Sequence, residues 1–261
     1  MWDALTGDSL FDYALLGLAA ALAGTVDAVI GGGGMVQVPA LFAVYPTVTP
    51  AMLLGTGKIS SVVGTSGAAV QYVRFAPTNW AVAAPAAIVS FLAAVAGAYA
   101  VLLVPAEPLR KALPFVLLAL LAYTLRSRIG LEHLPRHSRS AEITIASAGS
   151  TAVGFYDGFL GAGTGAFYKL MFVRGLGYDF LNAAAPSKIA NVASNLGALL
   201  VFVLAGQMMW SVGLWMAVAN FAGGQVGSRL AIRYGSDFIR RCFIVVVACL
   251  ITKTFYDAYL R

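Results

Sequence analysis

Apolar residues fall into ten blocks separated by short polar stretches, arranged as two sets of five. The first set covers 11 to 30, 35 to 45, 51 to 72, 81 to 104 and 109 to 125. The second covers 141 to 161, 165 to 175, 181 to 204, 211 to 233 and 239 to 258. Most blocks approach the ~20 residues with which a helix crosses a ~30 Å hydrocarbon core. A transmembrane barrel would instead need ~10-residue segments of alternating hydrophobicity. The blocks at 35 to 45 and 165 to 175 reach only about half way across at ~1.5 Å per residue, and each follows a glycine cluster. The pattern predicts an all-α polytopic membrane protein with two homologous halves. Each half has about five hydrophobic segments, one of them a short helix set off by glycine.

Displacing the sequence by 130 positions aligns the halves without a gap. Gly24 meets Gly154, Asp27 meets Asp157, Gly31 meets Gly161 and Gly33 meets Gly163. Further on, Lys58-Ile59 falls on Lys188-Ile189, Trp80 on Trp210, Phe91 on Phe221, Gly97 on Gly227 and Arg110 on Arg240. Shared hydrophobicity alone does not match Trp, Lys and Asp, so the chain is an internal duplication. It divides into an N-terminal repeat (1–130), a basic linker (131–140) and a C-terminal repeat (141–261).

Composition excludes a water-soluble fold: 60% of residues are hydrophobic and 11% charged, against about 25% charged in soluble domains. Mean hydropathy is +0.82. The net charge of +6 comes from arginines between apolar blocks, where membrane orientation explains them and nucleic-acid binding is not needed. If the short blocks do not cross, the non-embedded Lys and Arg divide seven against seven between the two sides. If they cross, the second half is inverted and the division is ten against four. The inverted arrangement obeys the positive-inside rule, with both termini outside and the linker 126–140 cytoplasmic. The N-terminal stretch carries Asp3, Asp8 and Asp12 and no Lys or Arg, the wrong charge for a cleavable leader, so the first block is expected to be a retained span. Cys242 and Cys249, seven apart in one apolar block, read as buried small hydrophobes.

Matched broken helices in an inverted repeat point to a transporter's binding site. The four consecutive glycines Gly31 to Gly34 make a continuous helix costly, at roughly 1 kcal/mol per glycine. The amides that open the short helices, around Gly32, Gly33 and Gly34 and around Gly163, Thr164 and Gly165, are candidate anion donors at positive helix ends. The competing explanation is close helix packing, which fits Gly97, Gly223 and Gly227 well. Lys58 and Lys188 stand eight residues into apolar spans and are expected to face a cavity as cations for an anionic substrate, or else to pair with Asp27 and Asp157. Those aspartates lie near the carboxyl ends of their helices, where they need a cation or a proton. Ser61 and Thr65 follow Lys58, and Asn191 and Asn195 follow Lys188, at spacings of three and seven along one helix face.

Other signals carry little. His133 and His137, the sole histidines, flank Pro135 in an arginine-rich linker and read as solvated loop rather than metal ligands. Trp80 and Trp210 open matching spans as interfacial anchors. The glycine run lacks the GK[ST] ending of a phosphate-binding loop. No nucleophile, base and orienter assemble within the membrane, so an enzyme, a metal site and a cofactor are not expected.

The strings GTVDAVIGGGGMVQVPAL, LGTGKISSVVGT, GFYDGFLGAGTGAF and SKIANVASNLGALLVFVLAGQ resemble the TauE/SafE family of sulfite and organosulfonate exporters. The resemblance covers nearly the whole chain. It implies a bacterial inner-membrane carrier for small sulfur anions such as sulfoacetate, related organosulfonates or sulfite, working by alternating access. The family's glycine-rich turns fall on Gly31 to Gly34 and Gly161 to Gly165, and its lysines on Lys58 and Lys188; Met35 stands where leucine is common. Coupling to protons and assembly as a homodimer are further possibilities. The alternatives are a cation carrier or channel using Asp27 and Asp157, and a membrane scaffold that transports nothing.

Overall fold

A computed structural model describes residues 9–75, 78–126, 137–234 and 252. Among them every regular element is helical. The first half contributes α1 (Leu10–Val29), α2 (Gly34–Val44), α3 (Pro50–Phe75), α4 (Trp80–Leu102) and α5 (Ala106–Arg126). The second contributes α6 (Arg139–Phe159), α7 (Thr164–Leu170), α8 (Phe180–Leu204) and α9 (Trp210–Tyr234). Except at the end of α7, these bounds lie within three residues of the apolar blocks. One element differs in kind: α7 passes into a π-helical turn over Met171–Gly175 instead of continuing as α-helix. The block at 239 to 258, with Cys242 and Cys249, and also His133, lie outside the described residues.

Local chemistry starts the helices where the apolar blocks begin. Ser9 and Asp12 form a reciprocal cap on α1, each side chain accepting from the other's amide. Asp179 opens α8 by accepting from the Asn182 amide at 2.8 Å. Among the described residues three stretches, Leu10–Val29, Trp80–Leu102 and Asn182–Leu204, are long and apolar enough to cross a membrane by length and composition alone.

The packing exchanges elements between halves. α1 lies along α9 and α6 along α4, so the first helix of each half rests on the fourth element of the other. α3 and α8 meet in the middle. Glycines permit these crossings: a Cβ on Gly97 would collide with the Phe155 carbonyl, and one on Gly227 with that of Thr25. The same displacement of 130 carries one contact into the other.

Polarity runs opposite to that of a soluble bundle. Ile88 and Leu92 on α4 are 62% and 61% exposed, whereas Lys58, Asp157, Lys169, Lys188, Asn191 and Asn195 are buried. Apolar side chains outside and charged ones inside suit a hydrocarbon solvent. Met35 to Phe42 of α2 are buried throughout, so this short helix belongs to the interior.

Candidate functional site

The two breaks in the helices meet each other. After α1 the chain turns at Gly31 with φ +91°, and after α6 at the matching Gly161 with φ +76°, a left-handed conformation that glycine adopts without strain. The Ala166 amide, in the first turn of α7, donates to the Gly31 carbonyl at 2.8 Å. A Cβ on Gly31 would overlap the backbone of Gly165, and one on Gly34 would lie 2.5 Å from the Gly161 carbonyl oxygen. The glycine clusters end the helices, and they also let the two ends come into backbone contact.

Beside this crossing lie two ion pairs, each joining one half to the other. Lys58 Nζ reaches Asp157 Oδ1 at 2.9 Å, and Lys188 Nζ reaches Asp27 Oδ2 at 2.5 Å. The displacement of 130 again converts one pair into the other. Their surroundings differ. Lys58 also donates to Asn195 Oδ1 at 3.0 Å, whereas Lys188 also donates to the Asp27 carbonyl. Asp27 Oδ2 accepts from Thr65 Oγ1 at 3.2 Å.

The end of α1 collects side-chain donors for carbonyls that have no intrahelical partner. Lys188 serves the carbonyl of Asp27, Tyr72 Oη that of Ala28 at 2.7 Å, and Lys169 Nζ that of Val29 at 2.6 Å. Two ammonium groups thus stand at the negative end of a helix dipole, which offsets the placement of Asp27 there. Lys169 escapes a sequence reading because it lies in a short apolar block and has Pro39 as its counterpart.

The crossing borders a small, partly open polar cavity. The structure brings together Gly33, Gly34, Ser61 and Thr65 of the first half with Thr164, Gly165, Asn191 and Asn195 of the second. Asp27 and Asp157 complete the charged part of the wall. Gly32 and Gly163 are not part of the wall, nor are Lys58 and Lys188, whose ammonium groups turn to the aspartates. A buried ammonium must meet a countercharge, and the nearest one is a carboxylate. Lys58 nevertheless sits directly behind the wall, since a Cβ on Gly161 would lie 2.8 Å from its Nζ.

Gln37 and Asn220 also line the cavity, and sequence reasoning missed both. Gln37 Oε1 accepts from Ser60 Oγ and from Asn220 Nδ2, both at 3.1 Å, while its Nε2 donates to the Gly57 carbonyl at 3.0 Å. Single amides in apolar blocks were the available signal. Two polar atoms of residues that line the cavity are buried without a partner among the described residues: Asp157 Oδ2 and Thr164 Oγ1.

Apolar faces outside, ion pairs inside and a polar cavity where two helices break define a polytopic membrane transporter. The Sulfite exporter TauE/SafE family matches residues 16–254, and the chain belongs to this family. A "Probable membrane transporter protein ORF9" of Sinorhizobium sp is 36% identical over 245 residues, covering 94% of this chain and 92% of that one. The "Probable membrane transporter protein YfcA" of Escherichia coli K12 is 34% identical over 260 residues, covering 97% and 95%. A "Probable membrane transporter protein" of Haemophilus influenzae is 32% identical over 241 residues, covering 90% and 91%. No solved structure matches the chain.

Proposed function

We propose that the protein is a secondary carrier that exports small sulfur-containing anions, such as sulfoacetate, related organosulfonates or sulfite, across the bacterial inner membrane. The halves act as inverted repeats that rock around the cavity, with the linker 126–140 on the cytoplasmic side. The observation that carries this reading is the convergence on one cavity of the α2 amide end, the Ser61 hydroxyl and the Asn191 amide. A tetrahedral anion with peripheral oxygens can accept from several of these at once. Lys58 and Lys188 act from just behind the wall. Asp27 and Asp157 hold the lysines while the site is empty, and are the groups through which proton movement couples to the cycle.

One observation favours a second reading, a cation carrier. Asp157 Oδ2 is a carboxylate oxygen at the cavity with no donor. A single experiment separates the two. The melting temperature of detergent-purified protein is followed against millimolar sulfite, sulfoacetate, other sulfonates, sulfate, acetate and chloride, and against Na⁺ and K⁺. A ligand at 100 times its Kd adds about 2.7 kcal/mol, enough to move the melting point. Stabilisation by a sulfur anion, absent in Asn191→Ala, supports the carrier. Stabilisation by Na⁺ or K⁺ alone, with every anion matching chloride, rejects it in favour of the cation reading.

A further inference from the structure

The two halves supply the same charges to the cavity but not the same donors. At Asp27 both Lys188 and the Thr65 hydroxyl donate to one carboxylate oxygen, Oδ2. The position matching Thr65 in the second half is Asn195. Its amide nitrogen is spent on Asn191, donating to Oδ1 at 2.9 Å and to the carbonyl at 2.7 Å, and its oxygen accepts from Lys58. Among the described residues no hydroxyl joins the lysine on Asp157 as Thr65 does on Asp27, and Asp157 Oδ2 is buried without a donor, the residue being only 1% exposed. Thr164 adds a second asymmetry. It stands where the first half has Gly34, is 2% exposed, and its hydroxyl is unpartnered on the same wall.

A buried carboxylate oxygen without a donor is costly, and native interiors seldom leave one so. An anion entering this cavity would meet the charge of Asp157, unless it brought the missing hydrogen itself. We infer that the anion carried here bears its own hydrogen-bond donor, a hydroxyl or ammonium hydrogen, which it presents to Asp157 Oδ2 beside Thr164 Oγ1. Its acidic group then lies toward the amide end of α2 and the asparagines. This rests on the anion-carrier reading and narrows its substrate to sulfur anions that carry a hydroxyl or ammonium hydrogen, which favours hydroxy- and aminosulfonates over sulfoacetate. Asp157 and Thr164 become the specificity-determining pair.

Titration calorimetry on the full chain in detergent tests this with three sulfonates of one skeleton: ethanesulfonate, 2-hydroxyethanesulfonate and 2-aminoethanesulfonate. Wild-type protein is expected to bind a donor-bearing compound at least tenfold more tightly than ethanesulfonate, which corresponds to about 1.4 kcal/mol. The tighter of the two identifies the donor as hydroxyl or ammonium. The preference is expected to shrink severalfold in Thr164→Val and to approach unity in Asp157→Asn. The wild-type comparison stands even if Asp157→Asn does not fold. Equal affinity for all three in the wild type overturns the inference, because water then serves Asp157, while anion carriage survives. Binding of none of the three, or of any anion in the broader panel, removes the carrier reading along with it.

Discussion

Asp27 and Asp157 each hold a lysine of the opposite half, so each pair ties the two halves together. Removing one member of a buried pair leaves an uncompensated charge and costs roughly 3–5 kcal/mol. Lys188→Met is therefore expected to lower stability by about that amount, and the double variant Asp27→Asn, Lys188→Met to regain most of it. Chemical denaturation in detergent measures both, and a double variant no more stable than the single one would show that Lys188 acts chiefly on the carbonyls of α1. The four charges were legible in the sequence because each interrupts an apolar block. Their pairing was not, since a repeat shows that two segments are alike without showing which faces which. Gln37 and Asn220 stayed hidden because a lone amide does not disturb hydropathy as a charge does.

At the scale of elements, apolar blocks predicted helix boundaries closely because the bilayer leaves the backbone no other way to satisfy itself. They could not predict the π-helical turn after Leu170, which lies within an unbroken apolar block. The breaks were legible as glycine runs, though their meeting was not. That meeting sets a contrast between two glycines of positive φ. Gly31 has the backbone of Gly165 where a Cβ would go, whereas Gly206, φ +65°, has nothing within 4 Å. Gly206→Ala carries only the conformational strain, ~1 kcal/mol. Gly31→Ala carries strain and overlap together, and is expected to cost several times more or to prevent folding. Melting temperatures of the two variants decide this, and equal shifts would show that the crossing yields readily.

For the whole molecule, the duplication was readable from matched residues, but the exchange of α1 and α6 between halves was visible only in the packing. Orientation is open to direct test. Leu10 is 89% exposed at the start of α1, and His137 is exposed just before α6. With Cys242 and Cys249 replaced by serine, Leu10→Cys and His137→Cys are expected to react with an impermeant maleimide from opposite sides of the membrane, as five crossings per half require. Labelling from the same side would mean four crossings and halves that run parallel. The backbone contact at the centre has a further consequence, for inheritance. Gly31 rests on Gly165 and Gly34 against Gly161, so neither copy can enlarge a residue there without a matching concession from the other. The cavity wall is under no such restraint: Thr65 already stands opposite Asn195 in the alignment of the halves, and Gly34 opposite Thr164. A duplicated chain of this kind can change its cargo by mutations in a single copy, while the joint at its centre stays a shared possession of both.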